Sequence, residues 1–314
     1  MYDGQVSAYQ IAEDLKMTMK FRAHDTFFIR KGWLSKGMRN VVANPDVFVT
    51  KDKDRNPMDV LGIGANMVKA LRYWLQVVGL TSETTKGQRV QSLTPLGELV
   101  YKHDPYIEEL GTLWLLQYQL AKNKDEATAW YFFFNEFNMG EFTREDFVQA
   151  LQNYIVMAQE QTAIRSLNDD FSCIINTYVS RGKTSMVKVS PENNIDCPFG
   201  ELGLIDVLGK QGNSTTYKKS IPASDAINPW VALAVIYDQA EYNTEIGLST
   251  LLSSPFNIGK VFNLDSITMI ELLHRTERTD LSRIVRTAGL DYIKLESGYD
   301  FITCIQKYYD EIVQ

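Results

Sequence analysis

The chain of 314 residues is poor in the residue types that usually announce a chemistry. It has three cysteines, at 173, 197 and 304. They are far apart and form no C-x-x-C pair, so neither a disulfide framework nor a zinc ribbon is encoded, and reduced, buried thiols are expected. It has three histidines, at 24, 103 and 274, too few for a His-rich zinc site. Its longest apolar run, WVALAVIY at 230–237, has the length of a core element and falls far short of the ~20 residues of a membrane span. The start, MYDGQVSAYQIAEDLKM, lacks a cationic segment followed by an apolar one, so no secretory signal is expected and the cytoplasm is the expected compartment. G-x-S-x-G and H-E-x-x-H are absent. Two look-alikes fail. LGIGANMV has Met67 where a dinucleotide fingerprint needs its third glycine, and SRGKTS has Thr177 where a P-loop needs its first. Asp14-Leu15-Lys16 has the D/E-x-K order of many nucleases, an order also common by chance.

What is present is ordinary globular composition, 45% hydrophobic and 23% charged, with a net charge of −7. That sign argues against nucleic acid, but the charge is segregated. Between Lys16 and Arg39 seven cations (Lys16, Lys20, Arg22, Arg30, Lys31, Lys36 and Arg39) face one anion, Asp25. A local basic face on an acidic protein suits an anionic partner, although a solvated basic surface has the same composition. Within this face lies HDTFFIRKGWLSKGM, residues 24–38. His24 beside Asp25 has the chemistry to hold a divalent ion and activate water against a phosphodiester, with Arg30 or Lys36 on the phosphate oxygens. The plainer reading is that His24 hydrogen-bonds within the fold and Asp25 caps a helix at 26–28. Trp33, Trp74 and the WYFFF run at 130–134 read as core.

The periodicity predicts a mainly α chain with small β elements, an α+β class. A helix is expected over 26–43 and a loop or short extended piece over 42–57. Met67, Val68, Leu71, Trp74, Leu75 and Val78 recur at three- and four-residue intervals, giving an amphipathic helix over 65–78 that ends at Gly79. A hairpin turning at Lys86-Gly87 follows, then a helix with Thr94 as N-cap and Pro95 at its first position. This order, over about 57–102, is that of a winged helix-turn-helix whose second helix lies in the DNA major groove. Asn66, Lys69, Arg72, Tyr73 and Gln76 are its expected exposed face. Consecutive helices are expected over 103–179, with Thr143 as an N-cap, a strand over 181–189, loops and short elements over 190–230, and helices over 228–240, 246–252, 266–276 and 280–288. A strand at YIKLE and a final helix from about 300 complete the pattern, and the end of the chain reads as a second, degenerate winged helix. Three regions follow: a DNA-binding region 1–102, a helical middle 103–189 and a mostly helical 190–314.

The motifs HDTFFIRKGWLSKGM, LGIGANMVKALRYWL, LTPLGELV, SPFNIGKVFNLD and TAGLDYIKLE, in this order across about 21–295, resemble the SspB family, the nicking component of bacterial single-stranded DNA phosphorothioation (Ssp) systems. The family's His-x-Thr-Phe start falls on His24, Thr26 and Phe27, its Trp-Leu-x-Lys step on Trp33, Leu34 and Lys36, and its Gly-x-Asn-Met step on Gly64, Asn66 and Met67. Ala65 stands where relatives commonly have lysine. The resemblance implies a magnesium-dependent endonuclease that nicks DNA so that partner proteins can replace a non-bridging phosphate oxygen with sulfur, in antiphage defence. The implied partners are double-stranded DNA, a cysteine desulfurase, an ATPase and a PAPS-reductase-like protein, with a homodimer as a further expectation and no membrane. The candidate residues are His24 and Asp25 for catalysis, Asp25 for the metal, and Arg30, Lys31, Lys36, Arg39, Asn66, Lys69 and Arg72 for DNA. If His24 and Asp25 are structural, the ligands are to be sought among carboxylates such as Asp169, Asp170 and Glu201. A non-catalytic DNA-binding adaptor that recruits the modification enzymes is the alternative.

Overall fold

The structure is a computed structural model that describes residues 18–84, 86–87, 89–179, 197–212, 214–287 and 290–313. The expected strand 181–189, the Asp14-Leu15-Lys16 tripeptide and Lys16 of the basic segment lie outside these residues. The architecture is mainly helical with small antiparallel sheets, the α+β class expected.

The chain enters through turns at 22–26 and an extended piece, and the first helix, α1, runs Trp33–Ala43. It starts seven residues later than expected because Gly32, at φ 81°, breaks the backbone direction before it. Asp25 therefore caps no helix. A loop leads to the short α2, Pro57–Leu61, closed by Gly62 at φ 61°, and then to α3, Ala65–Val77. Strands β1 (Thr81–Glu83) and β2 (Gln91–Leu93) pair antiparallel, and α4 (Pro95–His103) opens with the Thr94 hydroxyl accepting from Gly97 N–H. Gly97 is required here: a Cβ on it would come within 2.0 Å of the Leu80 carbonyl oxygen.

The middle of the chain supplies α5 (Leu110–Lys122), α6 (Thr128–Tyr131) continuing as one wide turn through Phe132–Glu136, β3 (Glu141–Phe142), α7 (Arg144–Met157) and α8 (Ile164–Tyr178). Thr143 and Asp146 form a full capping box on α7. The short elements expected among the loops of 190–230 include a hairpin, β4 (Ile205–Gln211) with β5 (Ser214–Lys219), in a sheet ordered β3-β5-β4. Then come α9 (Pro229–Ala240), β6 (Glu245–Gly247), α10 (Leu248–Ser253), α11 (Ile258–Val261) and α12 (Ser266–Thr276). The helix expected over 280–288 is instead strand β7 (Ser282–Thr287), paired with β8 (Leu290–Leu295) in a sheet ordered β6-β8-β7. Its Ile284, Val285 and Thr287 are β-branched, and partners on β8 outweigh a local helical spacing. The last helix, α13, is Phe301–Ile312.

One contiguous apolar core joins side chains of all three expected regions, from Ile29 and Trp33 through the 130–134 aromatics to Tyr308 and Tyr309. Trp33, Trp74 and the WYFFF run are buried as expected. Tyr309 stacks on His103 at 5.0 Å and shares a hydrogen bond with Thr112, which ties the end of the chain to α4 and α5. The three cysteines are free and buried. Among the described residues no helix is long and apolar enough to cross a membrane.

Candidate nucleic-acid interface

Arg22, Asp25 and Thr26 all have left-handed φ angles, 57°, 49° and 69°. Such backbone costs about 1 kcal/mol or more per residue and persists only where the surroundings hold it. The hold is His24. The turn drives its ring inward until it is fully buried, 6.0 Å from Trp74 and 5.6 Å from Trp130 between ring centroids. Its Nδ1 accepts from the Thr26 N–H at 3.1 Å, so Nε2 carries the hydrogen and donates to Asp170 Oδ1 on α8 at 2.7 Å. Asp170 Oδ1 also accepts from the Arg22 N–H at 2.9 Å, and the Arg22 guanidinium meets Asp169 Oδ2 at 2.8 Å. Burial raises the Asp170 carboxyl above its ordinary pKa, against the lowering pull of His24 and the Arg22 amide. Both His24 nitrogens are thus spent inside the fold, with no open edge for an attacking water. Asp25, its neighbour in sequence, is half-exposed on the turn.

The remaining candidate residues fall into two groups and a single. Arg30 lies over Phe27 and Trp33, Arg39 lies 6.0 Å from the ring centre of Tyr106, and Lys31 is exposed beside them. Lys36 stands apart, donating to the Leu61 carbonyl at 3.0 Å, where it closes the end of α2. The other group lines an open cleft of about 370 Å³ between α3, the β1–β2 hairpin and the 123–126 loop. Its cations are Lys20, Lys69, Arg72 and Arg89, and its acids are Glu83 and Glu126. Lys69 and Asn66 are exposed and 3.4 Å apart. Tyr73, expected on the exposed face, is buried and donates to the Glu126 carbonyl, because its place in the helical turn points it at Trp74 and the core.

Arg72 has its whole fork engaged. Nε and the terminal nitrogen Nη2 donate to the two Glu83 carboxylate oxygens at 2.7 and 2.6 Å. Burial alone would raise the Glu83 carboxyl; the Arg72 fork outweighs it and holds that carboxyl below its usual range. Gln91 adds a bond from β2 to the Arg72 carbonyl at 3.2 Å, so the hairpin is splinted onto α3 at a fixed angle. The exposed cations of the hairpin turn, Lys86 and Arg89, were not singled out from the sequence. Their signal was there, two cations around the glycine of TKGQR at the tip of an expected hairpin.

From residue 21 to 309 the chain matches the model of DUF4007, a protein family of unknown function. The chain belongs to the DUF4007 family. No curated protein matches its sequence. Among solved structures this DUF4007 chain is similar to a magnesium-ion-bound SspB at 26% identity and a TM-score of 0.79, over 93% of this chain and 88% of that one. It is similar to a second SspB crystal structure at 25% identity and a TM-score of 0.79, over 95% and 91%. The resemblance to SspB read from the motifs is therefore matched in three dimensions along nearly the whole chain.

Magnesium in an SspB raises the question of where this DUF4007 chain would hold one. Among the described residues no three His, Cys, Asp or Glu side chains converge, at Asp25 or elsewhere. The Asp169–Asp170 pair already has Arg22 on one carboxylate and His24 on the other. Glu201 is exposed on a single turn, Pro198–Leu202. Among the described residues the side chains build no multi-carboxylate magnesium cage.

Proposed function

We propose that this DUF4007 protein binds duplex DNA as a component of a bacterial phosphorothioation system. The observation that carries the reading is the cation-lined cleft along α3 and its splinted hairpin, where Lys69 and Arg89 stand exposed with Lys20, and Asn66 is exposed 3.4 Å from Lys69. The order of short helix, helix, hairpin and helix over about 57–102 supports the winged-helix reading, in which α3 would be the groove-reading helix. Lys20, Lys69, Lys86 and Arg89 would contact phosphates, and Asn66, near the start of α3, would reach a base edge. Arg30, Lys31 and Arg39 form a second basic strip for backbone contact, and Lys36 braces α2. The phosphorothioation setting rests on the SspB likeness and motifs. In that setting the proposed partners are a cysteine desulfurase, an ATPase and a PAPS-reductase-like protein, in the cytoplasm, with a homodimer as a further proposal.

The nicking reading has one observation in its favour, the likeness to a magnesium-bound SspB. On that reading Mg²⁺ and the strand cut would belong to this chain, with Asp25, half-exposed and on the basic face, as the carboxylate to test. Supercoiled plasmid incubated with pure protein and Mg²⁺, with and without EDTA, separates nicking from adaptor. For binding, the log–log salt slope of duplex affinity should drop by about one for each of Lys69→Ala and Arg89→Ala. A wild-type affinity that does not respond to salt would remove the DNA-binding reading altogether.

A further inference from the structure

From α9 onward the chain echoes the helix-to-hairpin order of residues 33–93, with a strand and a helical pair added. It runs helix, strand β6, the helical pair α10 and α11, helix α12, then hairpin β7–β8, with the strands ordered β6-β8-β7. Ile246, Ile293 and Ile284 stand in register across the three strands. Met269, Leu272, Leu273 and Thr276 of α12 are buried, while Ser266, Ile267, Glu271 and His274 face outward, Ile267 at 67% exposure. The hairpin is tied to this helix much as the first is tied to α3. Glu277, just past α12, takes His274 on one oxygen at 2.8 Å and the Ile284 N–H of β7 on the other at 2.8 Å.

Two sets of cations sit at the ends of this unit. On the hairpin Arg283, Arg286 and Lys294 are exposed, and Arg283 and Lys294 are cross-strand partners. Among the described residues they form no salt bridge, although Asp291 stands opposite Arg286 and Glu245 opposite Lys294 in register. At the other end, where α12 begins, lies a pocket of about 430 Å³ lined by Lys219, Lys260, Asn138, Asn263 and Ser266. Lys219 Nζ donates to the Phe133 and Phe137 carbonyls, both at 2.5 Å, and Lys260 Nζ donates to Asn138 Oδ1 at 2.7 Å. Asp265 is the carboxylate in the lining, and one of its oxygens is taken by the Thr268 N–H as the α12 cap. Burial, and after it the charge of Lys260, bring the Lys219 amine down to about 7. Two amines share one pocket at the positive end of a helix, an arrangement that an incoming anion would stabilise.

We propose that residues 229–295 form a second winged helix that takes the same duplex, with a backbone phosphate at the mouth of the Lys219–Lys260 pocket and the β7–β8 hairpin along the adjoining backbone. The proposal rests on the reading of this chain as a DNA-binding protein. It differs from that reading in giving the duplex two holds. The two modules divide the work unequally. The first carries the steep electrostatic attraction. The second, with Glu271 and Asp291 on its faces, adds a few contacts and sets how far along the duplex the protein reaches.

The test uses the full chain, fluorescein-labelled duplexes of about 12 and 30 base pairs, and anisotropy at several salt concentrations. The variants are Lys260→Ala with Arg286→Ala, the charge reversal Lys260→Glu, and Lys69→Ala with Arg89→Ala for the first module. Lys260 and Arg286 are surface groups whose loss leaves the core untouched, and thermal melting verifies the fold. On the long duplex, Lys260→Ala with Arg286→Ala should reduce the salt slope by about two; at ~0.1 M salt each lost contact weakens binding up to about eightfold. The same pair should have little effect on the short duplex. If the wild type binds, the first-module pair weakens it and the second-module variants leave both duplexes unchanged, the second hold is refuted while DNA binding stands. If the wild type binds neither duplex, the underlying reading fails and this one with it.

Discussion

Replacing Asp170 by alanine removes the group on which the N-terminal turn depends. The carboxylate accepts two buried bonds, from His24 Nε2 at 2.7 Å and from the Arg22 amide at 2.9 Å. Each donor left unsatisfied in the interior costs roughly 1–3 kcal/mol, and the space left behind adds about 1 kcal/mol. Relief of the buried charge offsets part of this, so a net loss of about 3–5 kcal/mol is expected from the unsatisfied donors and the space. That is a fifth or more of the stability of a typical domain, ~5–15 kcal/mol. Asp170→Asn keeps an oxygen facing both donors and should cost clearly less. Denaturant unfolding followed by tryptophan fluorescence reads the site directly, since Trp74 and Trp130 both lie against His24. A loss under about 1 kcal/mol for Asp170→Ala, at unchanged m-value, would refute the reasoning. The pH dependence supplies a sign. Burial raises the folded carboxyl pKa above the unfolded value near 3.8, so its contribution is greatest below that value and is lost as pH rises through the raised pKa. Asp170→Asn should flatten this part of the stability profile. The same site bears on catalysis. If His24 acts only by holding the turn, His24→Gln lowers stability and any nicking together; a folded, fully stable variant without nicking would return His24 to the chemistry.

The Arg72–Glu83 fork, 25% and 14% exposed, should contribute roughly 1–2 kcal/mol. Since the Glu83 carboxyl is held below its ordinary value, this contribution is complete above pH ~4.5 and lost as pH falls through the lowered pKa; Glu83→Gln should abolish that acid limb in a thermal-melt series. Gly97→Ala forces a Cβ against the Leu80 carbonyl and should destabilise by about 1–3 kcal/mol or more, measured by urea unfolding. Burial raises the Cys304 thiol to about 12 and the Cys173 thiol well above its usual value, so both should resist a thiol reagent in native protein and react once denatured.

Local order was legible wherever one period dominated. Helix α3 announced itself through apolar residues at three- and four-residue spacing, and the Thr94-Pro95 and Thr143 starts carry their caps in the sequence. Strand β7 did not, because Leu281, Ile284 and Val285 also fall at helical spacing and only the partner strand decides between the two. The short elements expected over 190–230 were not resolved into the β4–β5 hairpin for a related reason. Beyond Ile205, β4 is exposed along its length, so nothing in its pattern marks an inner face. At the candidate site the basic composition was readable, but the geometry was not. His24 looked paired with Asp25, one residue away, whereas its partner Asp170 lies 146 residues on. Sequence adjacency places two side chains on one backbone; only the tertiary fold says which way each one faces. The same applies to Arg72, whose fork reads as a base contact until Glu83 is found in its grip.

The inward turn at His24 carries a consequence for how this protein can be divided. Its anchor, Asp170, belongs to α8, and Tyr73 of α3 is bonded to the Glu126 carbonyl of the loop before α6. The basic segment and its helices therefore complete their interior with groups supplied from beyond residue 103. Expressed alone, residues 18–103 would leave His24 and Trp74 without their walls and should behave as a partly folded, aggregation-prone fragment. Recombination that grafted this stretch onto another chain would fail for the same reason. The basic face was shaped together with the rest of the chain, as a limb of one body.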